Sequence, residues 1–479
     1  MSRIHRRGFL KSGLTATLGA FGAGISLWGG PAQSSEDRHT MTGPQRRELP
    51  PGGNPIMPGI GLCDPHARCF DGRIYLYATH DASPNNPTYH MNDWWIWSTS
   101  DLVHWDQVSV LKPEQTYLRR PFSSCWATDA AFRNGRYYFY FSAGPEEIGV
   151  VLGTSPAGPW KDPLRKPLIP KGLVPTEARD PGILMDDDGS AFIVFGTFYY
   201  YIARLGDDMI SLAEPPRLVE FDRKFGPYGG GKTDDKPYLH RRGGIYYLSW
   251  GCFYATADNP YGPYSYKGCI ITPETTAPSF RNDHLYMDRH SSFFEIDGQW
   301  YIICNDYSNN GASAYFRNSI LAYVHYRDSG EIAPIRIDST GVGRYDCAAE
   351  RIEAEDYSKI TGGSVRECPS GGFEVRGLRD GSVLLYRNVE NVPPYARLTL
   401  RLSSQGNHKG RLEIRENGVG GKLFGHAAIT PTENWNDYRD LHIPLISTTK
   451  AVNLAFIFRG EGAEFARLDS WRIEDAKST

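Results

Sequence analysis

Short apolar runs rich in aromatic residues recur along the chain, each one directly after a turn that ends in glycine. Asp71-Gly72 precedes Arg73-Ile74-Tyr75-Leu76-Tyr77, and Asn134-Gly135 precedes Arg136-Tyr137-Tyr138-Phe139-Tyr140. Asp188-Gly189, Gly243-Gly244 and Asp297-Gly298 stand before three further runs of the same kind. The glycines that end these turns fall at 72, 135, 189, 244 and 298, with spacings of 63, 54, 55 and 54. Asp-Gly and Asn-Gly supply the positive φ of a tight hairpin. The runs that follow suit strands buried on both faces. A period of about 50 residues with several strands per copy marks a β-propeller, so the pattern predicts five blades over residues 50–342. Beyond Asp346 the texture changes to short alternating strands at 383–389, 396–402, 411–416, 438–445, 452–458 and 465–473. Gly, Asn and Pro clusters separate them, which predicts a jelly-roll-like β-sandwich over 350–476. The fold class expected is all-β, a propeller followed by a sandwich.

Composition narrows the function. Phe, Trp and Tyr make up 13% of the 479 residues and charged residues 22%, which excludes disorder, coiled coil and collagen. A formal charge of −3 argues against a nucleic-acid partner. The first 32 residues stand apart. Arg3, Arg6 and Arg7 precede a weakly apolar, glycine-containing stretch over 14–28 and the small residues Gly30-Pro31-Ala32. That is the plan of an export signal, and Arg6-Arg7-Gly8-Phe9-Leu10-Lys11 resembles the twin-arginine address. The stretch is shorter than the ~20 apolar residues of a membrane span. The expectation is a chain exported by the twin-arginine route, without a span in its mature part, and monomeric. The eight cysteines contain no Cys-x-x-Cys pair, so no structural zinc site is expected. Most should be buried thiols, with Cys63 and Cys69 as the candidate disulfide.

Three acidic steps precede strands in separate repeats: Asp64-Pro65, Asp180-Pro181 and Asp234-Asp235-Lys236-Pro237. Equivalent places in three blades point at one axis. Acids crowded on one pit raise at least one pKa, which suits a general acid beside a general base. Glycosidic hydrolysis needs such a pair. The plainer alternative is an Asp-Pro step that only opens a turn. Trp126 suits a sugar platform, because a ring face stacks on sugar C–H groups. Trp94 and Trp95 are adjacent and face opposite sides of a strand, so at most one reaches a site. Arg289 suits a sugar hydroxyl, a carboxylate or a structural ion pair.

Residues 50–340 resemble glycoside hydrolase family 43. The matching segments include Asp64-Pro65, Thr79-His80-Asp81, Ser98-Thr99-Ser100-Asp101-Leu102-Val103-His104-Trp105, Trp126-Ala127-Thr128-Asp129, Asp180-Pro181 and Arg289-His290-Ser291-Ser292. The resemblance implies a five-bladed propeller that hydrolyses pentose-containing polysaccharides with inversion and needs no cofactor for its chemistry. It implies Asp64 as the general base and Asp180 as the acid that tunes and orients its partner. His290 takes the place of the family's central His, which helps hold a water or metal ion on the axis. One departure stands out. The family's general acid is a Glu, commonly in a Glu-Gly-Pro step, and here the step reads Asp235-Lys236-Pro237. Asp235 is therefore the expected acid, with a raised pKa and a side chain one methylene shorter. Asp234, one residue out of register, should face away.

The segment from Ile352-Glu353-Ala354-Glu355-Asp356-Tyr357 to Leu468-Asp469-Ser470-Trp471 resembles carbohydrate-binding module family 6. That resemblance implies a structural calcium on Glu353, Glu355 and Asp469, whose oxygens suit the ion. Trp435 fits the family's sugar-binding Trp, whereas Gly377 and Arg467 stand where it has an aromatic and an Asn. The combined expectation is an exported, inverting glycosidase of hemicellulose-type glycans, an α-L-arabinofuranosidase or β-xylosidase. The alternatives are galactose release and a non-catalytic sugar-binding propeller.

Overall fold

A computed structural model describes residues 52–221, 234–281, 289–308, 312–406, 408–446 and 452–477. The export-type segment lies outside the described residues. Five antiparallel sheets follow one another along the chain, and each begins with an inner strand. The inner strands are Leu62–Phe70, Cys125–Arg133, Gly182–Met185, Tyr238–Arg242 and Ser291–Ile296. Each pairs with the strand that follows it, and the sheets grow outward in chain order to three or four strands. The recurring turns join the first and second strands of every blade. Asp71, Gly72, Asn134, Gly135, Asp297 and Gly298 all have positive φ, as the turn chemistry requires. The apolar runs are thus the second strands, and their side chains fill clusters between neighbouring blades.

Two six-stranded sheets form the C-terminal sandwich. All six strands read from sequence appear within two residues of their expected ends, among them Val383–Glu390, Ala396–Ser403 and Arg411–Glu416. Phe373–Leu378 and Leu423–Ala428 are additional strands that glycine and polar positions had hidden. Between the sheets, Trp471, Tyr386 and Phe456 pack ring against ring.

The fifth blade turn carries the sandwich. Asp297 accepts from Lys359 Nζ at 2.9 Å and Arg387 Nη2 at 3.3 Å, and Tyr357 donates to the Gly298 carbonyl at 2.8 Å. A Cβ on Gly298 would lie 2.8 Å from the Ile360 side chain, so glycine is needed here for clearance as well as for its φ of 84°. Cys63 and Cys69 do not pair. They lie on one extended strand, roughly 20 Å apart at the rise of a β-strand, far beyond disulfide reach, and all eight thiols are free. Among the described residues, no helix is long and apolar enough to cross a membrane.

Candidate active site

Where the inner strands begin, a cavity of about 230 Å³ opens. Asp64, Trp126, Asp180, Asp235 and His290 line it, one side chain from each blade. Each stands eight or nine residues before its blade's turn glycine. An inner strand has a nearly constant length from axis to turn, so the repeat delivers five unlike side chains to one place. Asp64, Asp180 and Lys236 reach it from left-handed backbone, with φ of 48°, 58° and 63°. Such conformations are uncommon away from glycine and persist where surrounding bonds hold them.

Asp64 is held from three sides. Its Oδ1 accepts from Arg317 Nη1 at 2.7 Å and Asn305 Nδ2 at 2.7 Å, and its own N–H donates to Asn305 Oδ1 at 2.7 Å. Arg317 is buried and also grips Asp81, through Nε at 3.0 Å and Nη2 at 2.9 Å. His290 Nδ1 lies 3.6 Å from Asp64 Oδ1, and its Nε2 meets His66 Nε2 at 3.2 Å. Burial holds both imidazoles neutral, His66 down to about 4 and His290 well below its usual range. With both rings neutral, one Nε2 donates and the other accepts between them. Beneath this pair, Arg68 Nε bonds the buried Asp129 at 2.8 Å. Asp129 also receives the Ile183 N–H at 2.7 Å and so ties the second blade to the third.

The other two acids differ sharply in their partners. The Asp180 carboxylate accepts the Lys236 backbone N–H at 3.0 Å. Burial, and then the charge of Asp235, push its pKa up to about 7 against the pull of Arg179. Asp235 is bonded by Lys236 Nζ and faces Arg179 Nη2 at 3.3 Å. Burial pushes its pKa upward, but Lys236 and Arg179 outweigh that and hold it down at about 2. The raised pKa expected for Asp235 is therefore found on Asp180, because both cations sit on Asp235. Asp234 does not face away: it lines the cavity and shares Lys236 Nζ at 3.2 Å.

Three expectations are corrected by the packing. Trp94 is fully buried against Phe141, and its indole N–H donates to the Trp126 carbonyl at 2.7 Å. It supports the cavity wall and does not touch the space. Arg289 is also fully buried, bonding the carbonyls of Asn305 and Phe280 at 2.8 Å each and Asp306 at 3.3 Å. It is a structural ion pair. Trp126 does reach the cavity, with the Arg179 guanidinium 5.1 Å above its ring. In the sandwich, Glu353, Glu355 and Asp469 do not gather into an ion site. Arg351 bonds Glu353 at 2.8 Å and Asp469 at 3.1 Å, and no metal-binding group of three exists among the described residues. The Arg351 guanidinium joins two of the three acids directly. Arg467 likewise lies 4.3 Å over the Trp435 ring.

Sequence reasoning missed Arg317, Asn305, Arg179, Tyr89 and Tyr307, all of which line the cavity. Arg179 carried a signal, being next to Asp180. Arg317 and Asn305 carried none, since they come from the fifth blade beyond its turn, 253 and 241 residues from Asp64.

Comparison with known proteins agrees with this geometry. The profile of Glycosyl hydrolases family 43 matches residues 53–332, and that of Carbohydrate binding module (family 6) matches 353–475. An arabinoxylan arabinofuranohydrolase of Paenibacillus polymyxa is 24% identical over 89% of this chain and 75% of its own length. A β-D-galactofuranosidase of Aspergillus niger is 30% identical over 63% of this chain and 92% of its own. A β-xylosidase/α-arabinofuranosidase crystal structure from a compost metagenome, in complex with xylotriose, superposes with a TM-score of 0.52. It is 28% identical and covers 60% of this chain and 99% of that one. With the first profile spanning more than half of the chain, the protein belongs to glycosyl hydrolase family 43, is a glycosidase, and carries a family 6 carbohydrate-binding module.

Proposed function

We propose that this chain is an exported, inverting glycosidase that removes single arabinose or xylose units from hemicellulose. The observation that carries the reading is the cavity itself. It brings Asp64, held by Arg317 and Asn305, together with Asp180 and Asp235. Two carboxyl groups and a water suffice for inversion, so the chemistry needs no cofactor. Asp64 takes the proton from the attacking water, Asp235 faces the leaving oxygen, and Asp180 sets the charge of Asp235. A volume of about 230 Å³ falls below the roughly 300–1,000 Å³ of sites for drug-sized ligands, which favours one sugar ring over a chain. Four lining aspartates face Arg179, Lys236 and Arg317, so one proton on Asp180 leaves the site neutral, as suits an uncharged sugar. The basic, apolar and small-residue order of the N-terminus supports export.

A panel of aryl α-L-arabinofuranoside, β-D-xyloside and β-D-galactofuranoside tests the substrate, the last because of the Aspergillus relative. Release from either pentoside is expected, with the inverted anomer in early NMR spectra. Preference for the galactofuranoside would change the sugar, retention would remove the mechanism, and silence on all three would leave a binding protein. Export is checked by fractionating cells that carry the chain with Arg6 and Arg7 intact or replaced by Lys.

A further inference from the structure

Lys236 is bonded to both acids of the leaving-group side. Its ammonium bonds Asp235 and also reaches Asp234 at 3.2 Å, while its backbone N–H bonds Asp180 at 3.0 Å. The side chain is almost wholly buried and lines the cavity. The backbone at Lys236 is left-handed, at φ 63°, a region that glycine occupies without strain. A lysine is therefore kept where its backbone is unfavourable, in contact with the group that must donate a proton.

We propose that Lys236 is a positioning residue that holds Asp235 as a carboxylate in the free enzyme and leaves the site's one proton on Asp180. The inference rests on the glycosidase reading of the cavity. A carboxylate bonded to an ammonium has no proton for a leaving oxygen, so the productive form is the minor one in which the proton sits on Asp235. The other charged groups around Asp235 do not replace Lys236. Arg179 stands 3.3 Å away on the third blade and is shared with Glu177 at 3.2 Å. Asp234, beside it on the fourth blade, adds negative charge and itself leans on Lys236. From the fifth blade His290 is neutral, and Arg317 is spent on Asp64 and Asp81. Asp64, across the cavity, disfavours a second anion. The directions found for the two acids, upward for Asp180 and downward for Asp235, agree with this assignment.

The test is Lys236→Gly, which removes the ammonium and relaxes the backbone, with Lys236→Gln as a variant of similar size. Both are compared with the wild type on an alkyl pentoside and on a dinitrophenyl pentoside whose phenol leaves without protonation. The expected result is an alkaline limb of kcat/KM moved to higher pH by about one unit, with about a tenfold gain on the alkyl substrate at the alkaline end. The dinitrophenyl substrate should change little. An unmoved limb, an equal change on both substrates, or a rise in KM alone would overturn the role. A wild type inactive on every pentoside would instead defeat the functional reading, which separates the two failures. A readout independent of turnover is infrared difference spectroscopy of the free enzyme near pH 6. The wild-type-minus-variant spectrum should show loss of a protonated-carboxyl band in Asp180→Asn and no such loss in Asp235→Asn, a difference in which the buried Glu355 of the sandwich cancels. The reverse pattern would overturn the proposal even if the lysine variants did not fold.

Discussion

Two clusters of carboxylates were legible in this chain, one in the propeller and one in the sandwich, and the fold treats them in opposite ways. Asp64, Asp180 and Asp235 come from three blades and stay apart around a cavity, each with bonds on one side and open space on the other. Glu353 and Asp469 sit on paired strands, Ile352–Glu353 and Ala466–Asp475, so they are close enough for one Arg351 to join them. Glu355 is buried there with one oxygen unbonded, and burial, then Asp356 and Glu353, push its pKa well up. In both clusters cations or a proton balance the carboxylates. The propeller acids come from separate blades and surround a cavity, whereas one guanidinium joins two of the sandwich acids directly. Burying a charge without such compensation costs several kcal/mol.

The sharpest way to break the propeller half of the comparison is Asp64→Asn. The amide cannot accept a proton from water, so turnover on any pentoside should fall by on the order of 10²–10⁴. The thermal midpoint should drop modestly, because Arg317 keeps Asp81. Near-normal kcat would remove Asp64 from the reaction.

Next in size is Asp235→Ala. Natural glycosides should lose about 10²-fold or more, the usual worth of a proton donor. Dinitrophenyl glycosides should keep most of their activity. Equal losses on both classes would move the donor elsewhere, with Asp234 the next to replace.

Asp180→Asn sharpens the electrostatics through stability. The folded-state pKa of Asp180 is raised from 3.8 to about 7. Its favourable contribution is therefore complete below the unfolded value and is lost as pH rises through about 7. Asparagine does not titrate, so the variant should gain thermal midpoint relative to the wild type between pH 5 and pH 8. A gap that narrows or reverses with rising pH would contradict the raised pKa.

The smallest effect belongs to the sandwich. Arg351 is about half exposed and Arg401 Nε also faces the buried Asp469 at 3.4 Å, so Arg351→Ala should cost no more than about 1 kcal/mol, with kcat on soluble pentosides unchanged. Adding calcium to the wild type should leave its melting curve in place. A clear calcium-dependent rise would show that an ion displaces Arg351, and the contrast between the two clusters would shrink.

Much of this molecule follows from local rules. A turn glycine every 54 or so residues, with an aromatic run behind it, is a backbone statement that needs no tertiary knowledge, and five blades follow from it. Nearly equal spacings from the turn glycines then carry Asp64, Asp180 and Asp235 to the axis, which is why spacing found three of the cavity's acids. The direction of a side chain and the charge beside it are different in kind. Trp94 and Trp126 look alike in sequence, yet one is sealed against Phe141 and the other reaches the cavity. Arg289 and Arg317 are both buried arginines of the fifth blade, yet only Arg317 reaches Asp64. The protonation of Asp180 and Asp235 depends on where Lys236 and Arg179 come to rest. The repeat, the all-β architecture and the places on each strand that meet at the axis are written locally, because hydrogen-bonded geometry is periodic along the chain. Which acid is charged, which tryptophan meets the cavity and which carboxylates a cation joins emerge only when distant segments pack. Electrostatic energy depends on distances of a few ångströms between residues that lie hundreds of positions apart.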